Sequence, residues 1–338
     1  MNKWKFKLLK KIQEKGRMLF SGKPDLDSIN FLSQENSVTA VFTKINQKNL
    51  VKHSLREKNL AVLFVKSFNE IEKEFDFSVL FLEEYSGKKE SQTLIENAAT
   101  KTKLNGKIYC ICKTSRGGKL LKEKMNEIFG NSETLSIKGG VRLIVSEKKK
   151  EVKVKEKEEE FFDFEFRKNK FVFASASGVF SRKKVDEGTK LLLENLTEIK
   201  GRKILDFGCG IGVIGIVVAK ENPESEILMI DSDAKAVNLT EKNIELNKIT
   251  NAKILVSDGL KQIQEKFSLI VSNPPTHEKR DFLEEFVVKA KKSLGKKGRL
   301  VLVLNKKVFL EKELKESFGN YKILAEGKSH KIIEAVKE

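Results

Sequence analysis

Three clusters in the second half of the chain have residue types and spacings suited to chemistry. The first is Ile204-Leu205-Asp206-Phe207-Gly208-Cys209-Gly210-Ile211-Gly212-Val213, an apolar run, then alternating glycines, then the start of a helical pattern. Missing side chains at Gly208, Gly210 and Gly212 let a ligand approach the backbone closely. The second is a series of acids, Asp206, Asp231 and Asp258, each at the end of an apolar run of strand length. The third is Ser272-Asn273-Pro274-Pro275-Thr276-His277, which holds two of the four prolines in 338 residues.

The glycines imply a nucleotide-like cofactor without naming it. Gly210, Gly212 and Gly215 also fit the G-x-G-x-x-G spacing, and Asp231 follows at about the 20-residue distance of a ribose-binding acid, so a nicotinamide cofactor stays open on glycines alone. Asp206 shifts the balance. A negative charge just before the loop opposes a pyrophosphate but suits the cationic methionine end of S-adenosylmethionine. Asp231 is then expected to accept both ribose hydroxyls and Asp258 to meet an adenine amino group. Consecutive prolines at 274 and 275 fix the backbone and leave the carbonyls of Asn273 and Pro274 outside any sheet ladder. An amide oxygen and a backbone carbonyl can both accept from one planar amino group, holding an exocyclic amine for attack through its lone pair without a strong base. Asn273, Pro274 and Pro275 are therefore the expected catalytic residues.

These residues need strands to carry them. Apolar runs at 203–207, 226–231, 252–257, 269–272 and 300–304 alternate with helical patterns such as 234–247, the arrangement of a doubly wound parallel α/β sheet, whose ligands bind beyond the carboxyl ends of the strands. Upstream, the stretch EKKKEVKVKEKEEE at 147–160 is almost wholly charged and cannot pack on both faces, so a boundary is placed there, giving domains 1–155 and 156–338. The halves share a faint repeat. Phe77-Ser78 recurs as Phe267-Ser268, Asn105-Gly106-Lys107 as Lys297-Gly298-Arg299, and Phe129-Gly130-Asn131 as Phe318-Gly319-Asn320, at offsets of 190, 192 and 189. A duplicated fold is the expectation.

Composition bounds the partners. With 66 basic and 48 acidic residues the net charge is +18, which favours a polyanion such as nucleic acid over an anionic membrane surface. Of that charge, +13 lies in residues 1–150 and +5 in 151–338. No apolar run is long enough to span a bilayer. The basic first twenty residues read as a short amphipathic helix with Trp4, Phe6, Leu9 and Ile12 turned inward, not as a secretory signal. Cys110, Cys112 and Cys209 form no Cys-x-x-Cys pair, which suits a reducing cytoplasm. His53 and His330 have no companions at metal-ligand spacing, so no metal is expected.

Together with Gly178-Val179-Phe180-Ser181, Asp186, Gly188 and Thr189, the 206–212 loop, Asp231 and Asn273-Pro274-Pro275 resemble the class I S-adenosylmethionine-dependent methyltransferases of the small-methyltransferase-domain type. More narrowly, residues 160–338 resemble the ribosomal RNA small subunit methyltransferase C group. The resemblance implies two tandem Rossmann-like methyltransferase folds, the N-terminal one degenerate and serving as a basic RNA platform and folding aid. It also implies methylation of a guanine N2 amine in ribosomal RNA or a ribosomal subunit by a monomer. Glu83-Glu84-Tyr85 stands where Asn-Pro-Pro would fall in the first copy, so that copy should bind no cofactor. One departure matters. The group usually has an aromatic residue after Asn-Pro-Pro, and this chain has Thr276, so stacking on the base would come from His277 or Phe180, with Arg182 reaching a phosphate. Two other readings are a glutamine-N5 methyltransferase of release factors, opposed by the repeat and by Thr276, and a non-catalytic RNA-binding protein, opposed by the intact glycine loop.

Overall fold

The structure is a computed structural model and describes the chain except residues 1–2, 56, 83–88, 155–158, 177–183, 197–198, 200–201 and 275–279. It divides into two compact units, Met1–Lys157 and Glu158–Glu338. In the first, apolar runs form strands β1 (Arg17–Gly22), β2 (Ser37–Phe42), β3 (Leu60–Phe64), β4 (Phe75–Phe81), β5 (Thr102–Lys113), β6 (Glu133–Lys138) and β7 (Val141–Glu147). Helices α1 (Lys3–Leu9), α2 (Leu26–Ser33), α3 (Ile45–Ser54), α4 (Lys89–Lys101) and α5 (Gly118–Phe129) accompany them. Of the basic first twenty residues, expected as one amphipathic helix, only Lys3–Leu9 is helical, burying Leu8 and Leu9, and Arg17 already begins β1.

The second unit opens with a hairpin, β8 (Glu160–Phe166) and β9 (Asn169–Ser175), in which Phe162, Phe164, Phe166, Phe171 and Phe173 are in ring contact along one face. Strands β10 (Lys203–Phe207), β11 (Glu226–Asp231), β12 (Ala252–Val256), β13 (Phe267–Ser272), β14 (Leu294–Asn305), β15 (Lys322–Glu326) and β16 (His330–Val336) follow. Helices α6 (Glu187–Asn195), α7 (Val213–Glu221), α8 (Ala234–Leu246), α9 (Arg280–Ser293) and α10 (Glu311–Phe318) lie between them. Central strands covered on both faces read as continuous apolar runs. Ile204, Leu205, Ile270 and Val271 are accordingly at most 1% exposed.

Both units hold a seven-stranded sheet, in the orders β3-β2-β1-β4-β5-β7-β6 and β12-β11-β10-β13-β14-β16-β15. The faint sequence repeat is thus the trace of one topology used twice. The five strands expected from the apolar runs, β10 to β14, pair in parallel, and an antiparallel pair is added at one edge of each sheet. β14 pairs antiparallel with β16, and β16 with β15, as β5 does with β7 and β7 with β6. A short reversal at Gly327, whose N–H donates to the His330 carbonyl at 2.8 Å, joins β15 to β16, and a hairpin of that length can only be antiparallel.

The repeated Phe-Gly-Asn triplet has a physical reason. Phe129 and Phe318 are each 3% exposed and anchor their helices, and Gly130 and Gly319 end those helices in the left-handed conformation. Each asparagine side chain then pairs with a closing strand as backbone would. Asn131 accepts from Glu147 N–H at 2.7 Å and donates to its carbonyl at 2.8 Å, and Asn320 does both with Val336 at 2.9 Å.

The two copies part at the end of their first strands. Gly22 pairs with Phe81 and Asp206 pairs with Val271. Phe81 and Val271 are 190 residues apart, so Gly22 occupies the position of Asp206. A β-carbon on Gly22 would sit 2.2 Å from the Phe81 carbonyl oxygen, at a φ of +99°. The obstacle is backbone and cannot swing aside. Gly22→Ala is expected to destabilise the protein by at least about 2 kcal/mol, from left-handed strain plus the clash. Urea unfolding followed by circular dichroism checks this, and a loss under about 0.5 kcal/mol would show that β4 yields easily.

Candidate active site

β10 ends at Phe207 and the chain turns through Gly208, Gly210 and Gly212, whose φ values are 67°, 60° and 84°. Side chains disfavour that conformation, so the glycines belong to the turn itself. The neighbouring strand and helix hold it. Gly208 and Cys209 donate their N–H groups to the Ile230 carbonyl at 2.9 and 3.1 Å, and Gly210 donates to Asp231 Oδ2 at 2.9 Å. The Thr240 hydroxyl donates to the Gly210 carbonyl at 2.9 Å. Asn243, fully buried in α8, donates to the carbonyls of Ile211 and Ala174 at 2.8 and 3.0 Å, and so ties the loop to β9.

Asp206 lies one residue inside the strand end and is 1% exposed, not open beside the glycines. Its Oδ2 accepts from Gly215 N–H at 2.8 Å, in the first turn of α7. Gly215 allows this approach, because a β-carbon there would stand 2.3 Å from Met229 Sδ and 3.1 Å from the carboxylate. Oδ1 is buried with no hydrogen-bond partner. Burial pushes the Asp206 carboxyl up to about 7, against the lowering influence of the Gly215 amide and with some help from the Asp231 charge. A buried acceptor without a donor is costly, so the site favours a donor or cation brought to it.

Asp231 closes β11, where Oδ1 accepts from Asp233 N–H and Oδ2 from Gly210 N–H, both at 2.9 Å. A carboxylate has about four lone-pair positions, more than these two bonds occupy. Asp258 follows β12, with the Lys261 ammonium 3.6 Å from its carboxylate. Burial holds the Cys209 thiol well above its ordinary value, with Asp206 and Asp231 adding to the effect, so Cys209 is a neutral filler rather than a nucleophile.

The segment after β13 rests on a fixed base. Ser272 is fully buried and its hydroxyl donates to the Phe207 carbonyl at 2.8 Å, while Phe207 stacks on Phe286 with ring centroids 4.1 Å apart. Pro274 is buried beside Asn273. The Asn273 Nδ2 group donates to Asp186 Oδ1 at 3.1 Å and to the Thr189 hydroxyl at 2.9 Å. Asp186 is also the N-cap of α6, accepting from Gly188 and Thr189 N–H groups at 3.0 and 3.1 Å. With both amide hydrogens directed at these acceptors, the amide can point only one way. Its carbonyl oxygen is left for another donor.

The fold therefore sets Asp206, the three glycines, Asp231, Asp258, Asn273 and Pro274 at the carboxyl ends of β10, β11, β12 and β13. Pro275, Thr276, His277, Phe180 and Arg182 lie outside the described residues, as do Glu83-Glu84-Tyr85 in the first unit. Sequence reasoning assigned no site role to Thr189, Thr240 or Asn243. Asp186 and Thr189 carry a readable helix-capping pattern and share in the family resemblance, but their hydrogen bonds to an asparagine more than 80 residues away are not readable in the sequence. Among the described residues, no group of three or more His, Cys, Asp or Glu could hold a metal, and no helix is long and apolar enough to cross a membrane.

Comparison with known proteins converges on the same segment. Residues 170–334 match the methyltransferase small domain family. The ribosomal RNA small subunit methyltransferase C of Shewanella halifaxensis (strain HAW-EB4) is 40% identical over 164 residues, 47% of this chain and 48% of that protein. Its namesake from Haemophilus influenzae (strain 86-028NP) is 38% identical over 163 residues, 47% of this chain and 49% of that protein. The chain thus spans about half the length of the curated relatives it matches. A T. thermophilus 16S rRNA N2 G1207 methyltransferase, solved with AdoMet and guanosine, superposes over 100% of this chain and 92% of its own, with a TM-score of 0.86 at 24% identity. That likeness extends the shared fold to both units, and the match to the methyltransferase small domain family, residues 170–334, lies wholly within the C-terminal unit.

Proposed function

We propose that the protein is an S-adenosylmethionine-dependent methyltransferase that acts on the exocyclic N2 amine of a guanine in ribosomal RNA. The observation that carries this reading is the orientation of Asn273, whose amide hydrogens go to Asp186 and Thr189 and so leave its carbonyl oxygen to accept from a substrate. The donor set fits the cofactor. Asp206 offers an unsatisfied buried acceptor for an ammonium group, Gly208 leaves open space where a β-carbon would stand, and Asp231 keeps acceptor capacity for ribose hydroxyls. Asp258 serves the adenine amino group. S-adenosylmethionine, when bound, supplies the sulfonium methyl group that is transferred.

The remaining work belongs to the chain's own residues. Asn273 Oδ1 and the Pro274 carbonyl accept from the substrate amino group, fix its plane, and draw positive charge away from the nitrogen as it attacks. Pro275 stiffens the carbonyl pair. Phe180 and His277 supply faces for the base and Arg182 a phosphate contact. No metal takes part. The basic first unit, whose residues 1–150 carry +13 of the chain's +18, is the RNA platform of a monomeric cytoplasmic protein.

The reading is tested by incubating the protein with tritiated S-adenosylmethionine and unmodified ribosomal RNA, ribosomal subunits and release factors, followed by nucleoside analysis. Label at guanine N2 is expected. Label in a protein band, or at adenine or cytosine, overturns it.

Cofactor affinity should depend on pH through Asp206. Its folded-state pKa near 7 lies above the ordinary carboxylate value, so the group is protonated below neutrality and its charge is absent from the cofactor site. Affinity measured by calorimetry is expected to rise as pH passes upward through about 7 and to fall by up to tenfold per unit well below it. The cofactor-free protein should show the opposite trend, because a raised carboxyl pKa gives stability that is lost as pH climbs from about 4 to 7. Affinity flat across that window would show that Asp206 does not face the cation.

A further inference from the structure

Phe309, just past the carboxyl end of β14, is 65% exposed, more than any other large apolar side chain among the described residues. The backbone before it is fixed. Lys307 N–H donates to Asn305 Oδ1 at 3.0 Å, Val308 N–H to the Asn305 carbonyl at 2.8 Å and Lys306 N–H to the Ser329 carbonyl at 2.9 Å. Leu310, next in the chain, is fully buried beside Leu304 and Leu314. The ring has the Lys331 ammonium 5.1 Å from its centroid, and that lysine is buried and paired with Glu311. Phe309 is thus anchored against a cation and otherwise open. The register places it beside the site. Ser272 pairs with Leu302, so Asn305 stands three residues past the end of β13, about 10 Å further along the sheet. A β-carbon on Gly188 would meet Val303 Cγ1, so α6, which orients Asn273 through Asp186 and Thr189, covers that face of β14. Leu304, and Lys331 opposite it, point to the other face. Phe309 and α6 therefore flank the end of β14 from opposite faces.

An uncovered aromatic ring that its neighbours already hold in place suits a flat partner, because little ordering is left to binding. Every nucleobase has such a face, whatever its identity. Lys307, exposed and two residues away, makes no ion pair among the described residues and can meet the adjoining phosphate. We propose that Phe309 stacks on an unpaired RNA base that flanks the target nucleotide. The target amine is held at Asn273, level with the end of β13, whereas Phe309 stands higher at the rim, so the base it meets is a neighbour and not the target. The inference rests on the proposed RNA methylation for the identity of the ligand, and it deepens that reading, because the substrate becomes an RNA whose guanine has an unstacked neighbour.

The test uses the full chain with Phe309→Ala, Phe309→Leu and Phe309→Trp, and thermal unfolding with S-adenosylmethionine calorimetry confirms that each variant is folded. Binding of a short fluorescein-labelled single-stranded RNA is followed by anisotropy. Phe309→Ala and Phe309→Leu should each weaken it at least about fivefold, the loss of one aromatic stack, while Phe309→Trp binds at least as tightly as wild type. Cofactor affinity should stay within about twofold. Phe309→Trp also adds a second tryptophan to Trp4, and its emission should be quenched by RNA beyond the wild-type change. Wild-type binding by Phe309→Leu, or unchanged emission from Phe309→Trp, shows that the ring makes no stack and overturns the inference. Variants that bind RNA normally but no longer methylate ribosomal subunits would place Phe309 against ribosomal protein, and the inference falls. It falls equally if the wild type binds no single-stranded RNA. In every case, label at guanine N2 in the tritium assay on wild type decides the methyltransferase reading separately.

Discussion

Asn273→Ala should lower kcat by about a hundredfold to a thousandfold, the range seen when one preorganised polar group at a reacting centre is removed. Cofactor affinity should change by less than about twofold, because the loss falls on the transition state and not on ground-state binding. The geometry gives the reason. Asn273 is held by Asp186 and Thr189 at 3.1 and 2.9 Å, so its oxygen is already oriented before substrate arrives and little reorganisation is left to the reaction. Alanine removes the acceptor and leaves only the Pro274 carbonyl. Asp186→Ala, which removes the oxygen that accepts from Asn273 Nδ2 as well as from the first amides of α6, should lose a smaller share of kcat. Single-turnover methylation together with calorimetry checks both variants. Equal losses in turnover and cofactor affinity for Asn273→Ala would place the residue in the cofactor site instead.

The second large effect is expected at Asp231. Its two oxygens hold the N–H groups of Gly210 and Asp233, so the side chain shapes the glycine loop before any ligand binds. Hydrogen bonds to a charged group are worth about 1.5 to 3 kcal/mol each. Losing the loop tether and the ribose contact together should weaken S-adenosylmethionine binding at least about a hundredfold in Asp231→Ala, since about 1.4 kcal/mol is a factor of ten. Calorimetry measures the affinity, with thermal unfolding to confirm that the sheet survives. An affinity within about threefold of wild type would mean that Gly210 is held well enough by Thr240 alone and that the ribose is bound elsewhere.

Much of this was legible in the residues. Strands β10 and β11 begin and end where their apolar runs do, because buried parallel strands flanked by glycine and acidic turns leave little choice of boundary. Strand β14 was read too short, since its first half, Leu294-Gly295-Lys296-Lys297-Gly298, is polar and glycine-rich and pairs across a register shift. Strand β15 escaped notice because it is short, lies at the sheet edge and has half-exposed side chains with no clean alternation. The order of the site residues along the chain was readable, but their mutual orientation was not. Asp206 shows the difference. Its place before the glycines suggested a charge open to the crevice, whereas Gly215 draws the carboxylate under α7, a contact that depends on three-dimensional proximity to Met229.

The crowding at Gly22 has a bearing on the history of the chain and on its stoichiometry. An aspartate there would have to displace the backbone of β4, so no single codon change restores a donor-binding carboxylate to the first copy. On the proposed function, each polypeptide then takes one equivalent of methyl donor. Saturation by the donor should be hyperbolic, with no homotropic cooperativity between the twin folds.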